Sequence, residues 1–380
     1  MENISDLTDA ELAVWLETAK TPEGTRAFFA QLIEPLGDLF ESALCDVYVN
    51  LFTRVLERAC GLSAVELRER YERVRRRTAA PVSVANVFVL SRVTLGADIA
   101  VTSVVLDAAK KRFPDARIHL VGSRKNWELF EADPRIGFLP APYARGATLD
   151  DRLQVSIGLR NLLDHPDSLV IDPDSRLTQL GLVSVCDEER YLFFESRSFG
   201  GDGSETLPVL TAQWTKQTLG VDGARAYVAP MTPNELTPDV TVSLGVGENP
   251  AKRAPDPFEQ DLFAHLERTG ASVLVDYGAG GEESERVDRV LRPGMRTWRG
   301  AFAPFAAQIA RSRVYVGYDS AGQHAAAASG VPVVCVFRGE ASERTYARWR
   351  PHGAGPVAVI RDDDPLAAAC AAIDKFLGKS

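Results

Sequence analysis

The hydrophobic positions of the first 78 residues follow the spacing of helices. Apolar residues recur three and four positions apart from Phe28 to Phe40 and again from Val47 to Leu56, which places each set on one face of a helix. Thr8 is a candidate cap for an earlier helix, and a further helix is predicted after Ser63. The pattern therefore predicts an all-helical extension over residues 1–80.

From Val84 onward, short apolar runs alternate with helical ones. Short apolar runs of this kind are typical of strands buried on both faces of a parallel sheet. The first block has predicted strands at Val87–Leu90, Arg117–Val121, Ser168–Ile171 and Tyr191–Phe194, and predicted helices at Ile99–Arg112, Leu149–Leu163 and Thr206–Leu219.

A second alternating block follows residues 220–239, a stretch with three prolines and little periodicity. Its predicted strands are Val240–Leu244, Ala271–Val275, Arg296–Trp298, Arg313–Gly317, Val331–Phe337 and Val357–Ile360, and a last helix is predicted over Pro365–Leu377. Two such blocks predict an α/β fold with two Rossmann-like parallel-sheet domains, residues 81–232 and 233–380, facing each other across a cleft.

Composition narrows the function classes. The net charge of −9 and the pI near 5.3 argue against a nucleic-acid partner. No apolar run is long enough to span a bilayer, and the acidic start lacks the basic and apolar segments of a signal peptide, so a cytoplasmic location is predicted. The five cysteines and five histidines are scattered, which gives no metal-site spacing.

Candidate chemistry is densest between Val314 and Phe337. This segment reads as strand, turn, alanine-rich helix and strand, which is a βαβ unit. The turn places Asp319, Ser320, Gly322 and His324 where the strand ends and the helix begins. Ligands bind at that edge of parallel sheets, and the amides of a helix start suit a phosphate. A satisfied core histidine is the alternative interpretation of His324.

Three further loops follow predicted strands. Gly247 and Lys252 lie in a turn where backbone can approach a phosphate and the lysine can supply charge, although many α/β loops need such a glycine. Glu282 and Glu283 can accept hydrogen bonds from a ribose, or merely favour the start of the next helix through its dipole. Asp98 follows the first strand of the first block and is either an N-cap or a general base.

Together these motifs resemble glycosyltransferase family 9, the ADP-heptose:lipopolysaccharide heptosyltransferases. The family has an aspartate, a small hydroxyl residue, glycine, two variable residues and histidine, followed by an alanine-rich helix and a Gly-Val-Pro-Val-Val strand. Here these read Asp319–His324 and Gly330–Val334. The N-terminal Leu-Gly-Asp signature appears as Leu95–Asp98, and the lysine after the second domain's first strand matches Lys252.

The resemblance covers about residues 84 to 362. It implies the GT-B fold, with a nucleotide-sugar in the C-terminal domain and the acceptor in the N-terminal domain. It also implies an inverting, metal-independent transfer of a heptose from ADP-heptose, the nucleotide-sugar being a co-substrate rather than a cofactor. By position, it makes Asp98 the catalytic base. The donor contacts it assigns are Gly247, Lys252, Glu282 or Glu283, Asp319, Ser320, Gly322 and His324.

Three departures from the family pattern stand out. Ala97 is an extra residue between the glycine and Asp98, so we expect that carboxylate to be aimed differently than in the family. Ala321 stands where the family has glycine, although Gly322 follows at once. Gly247 and Glu248 replace hydroxyl residues near the phosphates.

Two other functions stay open on the sequence. One is a catalytically silent nucleotide-sugar-binding or scaffold protein of the same fold. The other, an NAD-dependent epimerase or dehydrogenase, is disfavoured because no turn shows GxGxxG followed by an acidic residue. A glycan, a natural product and a protein side chain are all candidate acceptors. The helices of residues 1–80 are candidates for homo-oligomer contacts because their apolar faces must be buried.

Overall fold

The computed structural model describes residues 7–77, 79–144, 146–232, 236–247, 249–278 and 280–378. The chain divides into two compact units. The first unit comprises Met1–Thr94, Val104–Trp127 and Pro134–Ala224, and the second comprises Leu95–Ser103, Glu128–Asp133 and Arg225–Ser380. Leu95–Ser103 therefore belongs with the C-terminal half, although it directly follows the first strand in sequence. The domain limits given above stay predictions.

The first unit begins with five helices. They are α1 (Asp9–Thr18), α2 (Pro22–Phe28), α3 (Glu34–Asp38), α4 (Ser42–Cys60) and α5 (Ala64–Val74), with a π-helical turn at Phe29–Ile33. Thr8 caps α1 as predicted, because its hydroxyl accepts from the Glu11 amide at 3.3 Å while the Glu11 carboxylate accepts from the Thr8 amide at 2.8 Å.

The first sheet has five parallel strands in the order β3-β2-β1-β4-β5. These are β1 (Asn86–Leu90), β2 (Arg117–Gly122), β3 (Ile136–Pro140), β4 (Ser168–Asp172) and β5 (Tyr191–Phe193). The helices along this part of the chain are α6 (Leu95–Ala97), α7 (Ser103–Arg112), α8 (Arg124–Trp127), α9 (Leu149–Gly158), α10 (Arg160–Leu163) and α11 (Leu207–Leu219), with a π-helical turn at Asp98–Thr102.

The second sheet has six parallel strands in the order β11-β10-β9-β6-β7-β8. These are β6 (Val240–Ser243), β7 (Val273–Asp276), β8 (Arg296–Trp298), β9 (Val314–Tyr318), β10 (Val333–Val336) and β11 (Val357–Ile360). Its helices are α12 (Phe258–Thr269), α13 (Glu282–Val290), α14 (Phe302–Ile309), α15 (Ala321–Ala328), α16 (Glu343–Trp349) and α17 (Leu366–Leu377). The order reverses at β6 and β9, and ligands bind beyond the carboxyl ends of strands at such a point.

Each unit has its own hydrophobic core. In the first, side chains of the N-terminal helices join those of the sheet, and Tyr71 of α5 contacts Phe193 of β5 with ring centroids 5.7 Å apart. The apolar faces of these helices are thus buried within the chain itself. Homo-oligomer formation through them stays a prediction.

The predicted fold class, two parallel α/β sheets preceded by helices, is confirmed. One strand, β3, was not predicted, and the helix predicted from Ile99 starts earlier, at Leu95. Within the described residues, no helix combines the length and the apolar character that crossing a bilayer requires.

Candidate active site

Three loops of the second unit leave its sheet at one edge. They follow β9, β6 and β7, which are adjacent and parallel, so their carboxyl ends meet. The loops and the first turns of the helices that follow them carry all the predicted donor contacts. Asp98 belongs to the same unit, so all nine candidate residues lie in one compact body.

Lys252 and Asp319 form an ion pair at this edge. Lys252 Nζ lies 2.6 Å from Asp319 Oδ2 and donates to the Asp319 backbone oxygen at 3.2 Å. The lysine side chain is 25% exposed and the aspartate side chain 11%. Asn249 holds the 3₁₀ turn Pro250–Lys252 in place by accepting from the Ala251 amide at 3.0 Å. The loop therefore presents a cation that still reaches solvent.

A buried network of polar side chains holds Asp319 in place. The Gln323 side-chain amide donates to Asp319 Oδ1, and the Cys335 thiol donates to Gln323 Oε1. Gln323 Nε2 also lies 3.5 Å from His324 Nε2, and the His324 ring meets Trp349 edge to face, with ring centroids 5.8 Å apart. Both carboxylate oxygens of Asp319 are therefore held in place.

The His324 imidazole is neutral at pH 7. Burial lowers its pKa to about 4, with Asp319 acting in the opposite direction and Lys252 lowering it further. A neutral imidazole offers one N–H donor and no charge. His324 therefore adds no positive charge here, whereas Lys252 carries one and the amides that begin α15 carry partial positive charge.

Acidification is expected to destabilise the folded chain through His324. Its folded-state pKa of about 4 lies below the ordinary 6.5, so this stabilisation is complete above pH 6.5 and is lost as the pH falls toward 4. Between pH 7 and pH 5 the wild type should lose about 2 kcal/mol more free energy of unfolding than His324→Gln. Urea denaturation at both pH values measures this difference, and equal losses would contradict it.

Gly322 provides space for Tyr315, a fully buried residue of β9. A Cβ on Gly322 would lie 2.1 Å from the Tyr315 hydroxyl oxygen, and one on Gly317 would lie 2.6 Å from it. The glycine is thus required by packing beneath the turn, whether or not a phosphate approaches it. Ser320 takes the N-cap position of α15 with extended backbone, without a side-chain capping bond.

Gly322→Ala is expected to lower the free energy of unfolding by about 1–3 kcal/mol, because the new methyl group overlaps the Tyr315 ring. Thermal denaturation measures the loss. The matched control is Gly158→Ala in α9, where no atom lies within 4 Å of the added Cβ, and this change should leave stability unchanged or slightly higher. Equal melting temperatures for the two variants would contradict the packing argument.

The two glutamates that begin α13 have different surroundings. Glu282 is 69% exposed and pairs with Arg253, whose NH1 lies 2.7 Å from Glu282 Oε1. The Glu283 side chain turns toward the sheet edge, because a Cβ on Gly278 would lie 2.6 Å from Glu283 Oε2 and one on Gly245 would lie 3.5 Å from Oε1. Glu283 is therefore the glutamate that faces the ligand-binding edge.

Sequence reasoning missed a polar pair at the ends of β6 and β7. Ser243 Oγ donates to Asp276 Oδ2 at 3.1 Å, and the Gly278 amide donates to Asp276 Oδ1 at 3.1 Å. Burial raises the pKa of Asp276, while these two hydrogen bonds act in the opposite direction. Each of these residues is the last residue of its strand, and the two strands are adjacent and parallel. That position could have identified both as candidates.

Asp98 lies inside a helix rather than at its start. The helix begins at Leu95, and Asp98 opens the π-helical turn, so the N-cap interpretation is wrong. Its side chain is fully buried, and Oδ1 accepts from the Thr102 hydroxyl at 2.6 Å. Single π-helical turns within α-helices are frequent at functional sites.

The segment around Asp98 packs against α15. A Cβ on Gly96 would lie 3.4 Å from His324 Cδ2 and 3.6 Å from Ala321 Cα. The structure thus brings the Leu-Gly-Ala-Asp segment next to the helix that carries His324. The extra residue, Ala97, is buried within α6.

Gly247 stands apart from these contacts. It is exposed, with a φ of 63° that favours glycine, and no atom lies within 4 Å of its missing Cβ. Glu248, whose charge departs from the family pattern, lies outside the described residues. Among the residues that the structure describes, no group of three His, Cys, Asp or Glu side chains is placed to hold a metal ion.

Comparison with known proteins gives structural likeness only. No protein-family model matches the chain, and no curated protein matches it. A family 9 glycosyltransferase from Veillonella parvula DSM 2008 superposes with a TM-score of 0.59 and 14% identity, over 80% of this chain and 100% of that one. The fold is that of glycosyltransferase family 9.

Two heptosyltransferase structures extend this likeness. The E. coli ADP-heptose LPS heptosyltransferase II has a TM-score of 0.53 and 15% identity, over 77% of this chain and 98% of its own. The E. coli heptosyltransferase WaaC with ADP has a TM-score of 0.55 and 14% identity, over 77% of this chain and 99% of its own. The resemblance to family 9 found in the motifs is confirmed at the level of the fold.

Proposed function

We propose that this chain is a glycosyltransferase that moves a sugar from a nucleotide-sugar to an acceptor hydroxyl. The observation that carries the proposal is the Lys252–Asp319 pair at the start of α15, with Lys252 Nζ 2.6 Å from the carboxylate. A solvent-reaching ammonium beside helix amides is suited to a diphosphate. Asp319, held on both oxygens, is suited to accept hydrogen bonds from sugar hydroxyls.

The donor that we propose is ADP-heptose, and the reaction is a single inverting displacement. The acceptor oxygen forms a bond to the anomeric carbon while the bond from that carbon to the diphosphate oxygen breaks. Asp98 takes the acceptor proton, and the leaving electron pair stays on the ADP, next to Lys252. Donors aimed at the developing charge typically contribute about 3–4 kcal/mol each. Lys252 and the amides stabilise this developing negative charge without a metal ion.

The donor assignment is supported by the fold and by the position of Glu283. The structure of WaaC, which shares this fold, was determined with ADP. In this chain Glu283 lies beside Gly245 and Gly278 at the sheet edge, and we assign it to the ribose of the donor.

The decisive experiment incubates the full chain with ADP-heptose, ADP-glucose and UDP-glucose and measures nucleotide release, with and without candidate glycan, natural-product and peptide acceptors. Acceptor-dependent ADP release that persists in EDTA, with an inverted anomeric configuration by NMR, is expected. Tight ADP binding without release for any acceptor would favour the silent-scaffold alternative, and absence of nucleotide binding would overturn the proposal.

Glu283→Gln is expected to weaken ADP binding about tenfold, which matches the loss of one charge-assisted hydrogen bond. Glu282→Gln makes the same chemical change at the neighbouring, exposed position and should leave the affinity unchanged. Isothermal titration calorimetry with ADP and with 2′,3′-dideoxy-ADP measures both effects. If the dideoxy nucleotide still distinguishes Glu283→Gln from the wild type, the ribose assignment fails.

A further inference from the structure

Six side chains of the first unit alternate between aromatic rings and guanidinium groups. In order they are Tyr143, Arg152, Phe29, Arg176, Tyr48 and Arg197. The successive distances from guanidinium carbon to ring centroid are 5.5, 4.5, 5.7, 6.0 and 4.8 Å. Each contact is within the range of a cation–π interaction. We call this set the arginine–aromatic ladder.

The ladder joins the N-terminal helices to the sheet. Phe29 and Tyr48 come from the helices, whereas Arg176 and Arg197 follow β4 and β5. The two arginines converge, since a Cβ on Gly37 would lie 3.6 Å from Arg197 Cδ and 3.7 Å from Arg176 NH2. Burial raises the pKa of the Tyr48 hydroxyl, while both arginines act to lower it.

Buried donors of the ladder lack a hydrogen-bond partner among the described residues, among them Arg176 NH1, Arg197 NH1 and the Tyr143 hydroxyl. Arg197 is only 3% exposed; its Nε lies 3.1 Å from Asp174 Oδ2 and its NH2 lies 3.3 Å from the Tyr71 hydroxyl, which leaves NH1 over. Stacking on a ring satisfies the face of a guanidinium, but its N–H groups lie in the plane and require oxygen acceptors.

The charges of the ladder are not balanced. Arg197 is paired with Asp174, but Arg176 makes no ion pair with any carboxylate in the described part of the chain. Burying donors of a cationic group without acceptors is unfavourable.

We propose that the arginine–aromatic ladder is a binding site for an oxyanion, a carboxylate or phosphate group of a ligand. Planar guanidinium groups match the two oxygens of such a group. Arg176 and Tyr143 are half-buried, so both side chains reach solvent. The donor-binding candidates all lie in the other unit, and this site does not depend on the proposed transferase function.

Calorimetric titration of the full chain with inorganic phosphate, D-glucuronate and D-glucose, at constant ionic strength, tests the site. Phosphate or glucuronate should bind and glucose should not. Arg176→Gln should weaken anion binding about tenfold or more. The matched control removes the same charge at an exposed arginine of the same unit, Arg73→Gln, which is 57% exposed and paired with Glu188. It should bind like the wild type.

The melting temperature of the ligand-free variants separates binding from a purely structural role. Removing an uncompensated charge should leave the melting temperature of Arg176→Gln equal to or above that of the wild type, whereas a ladder that only fastens the helices would give a lower one. Arg176→Lys keeps the charge without the planar fork and should bind with intermediate affinity. Preference for phosphate or for glucuronate identifies the ligand group. The proposal is overturned if neither anion binds, if both arginine-to-glutamine variants lose binding equally, or if Arg176→Gln melts lower.

Discussion

Replacing Asp98 by asparagine is expected to lower the kcat of sugar transfer by about 10²–10⁴-fold. An amide cannot take the proton of the acceptor hydroxyl, so attack on the anomeric carbon loses its base. The change is isosteric and keeps Oδ1 available to the Thr102 hydroxyl, which lies 2.6 Å away. ADP affinity and the melting temperature should therefore stay at wild-type values. Acceptor-dependent ADP release, calorimetric ADP titration and thermal denaturation measure the three quantities.

The matched control for this change is Asp222→Asn. Asp222 is 81% exposed and paired with Lys216, so losing its charge should affect none of the three quantities. Two results would refute the catalytic role of Asp98. One is wild-type turnover in Asp98→Asn. The other is a loss of turnover that runs in parallel with losses of ADP affinity and thermal stability, which would make the buried carboxylate a structural residue.

Most strands could be predicted because they are runs of apolar and β-branched residues, the pattern of a strand buried on both faces. The strand β3 has no such run, since Gly137 and Pro140 interrupt it. Its glycine is explained only by the neighbouring strand, because a Cβ on Gly137 would lie 2.7 Å from the ring of His119 in β2. The local pattern of apolar residues does not show a contact between two strands.

The candidate site could be predicted where its residues are contiguous. Asp319 and His324 share one motif, and the structure places them in one network. Cys335 could not be assigned to the site from the sequence, because it is brought close to the motif only by the strand register, which pairs it with Gly317. The sequence predicted that Gly322 matters, but it could not show that the reason includes Tyr315 of the preceding strand.

The sequence could not predict in which direction the side chains of Glu283 and Asp98 leave their helices. Glu282 and Glu283 are equivalent in the sequence pattern, but neighbouring residues of a helix point about 100° apart. Only Glu283 then faces the loops at the sheet edge. Likewise, α6 begins at Leu95, which places Asp98 in the second turn of a helix. The sequence pattern alone also allowed Asp98 to be an N-cap. Packing decides where a helix begins and which way its side chains face, and a sequence motif does not show that packing.

Replacing Lys252 by methionine is expected to weaken ADP binding by about 10–100-fold and to lower kcat by roughly 10²–10³-fold. The ammonium group, 2.6 Å from Asp319 in the free protein, offsets the charge of that carboxylate and that of a bound diphosphate. Without it, two negative groups face each other at the start of α15. Calorimetric ADP titration and acceptor-dependent ADP release measure the two effects.

The neighbouring cation supplies the control for this prediction. Arg253→Met removes the same charge one residue along the chain, but Arg253 pairs with the exposed Glu282, so affinity and turnover should stay near wild type. Asp319→Asn added to Lys252→Met should restore part of the ADP affinity, because it removes the carboxylate that the lysine had neutralised. Equal effects of the two single variants would mean that only the general positive potential matters, and full ADP affinity in Lys252→Met would remove Lys252 from the donor site.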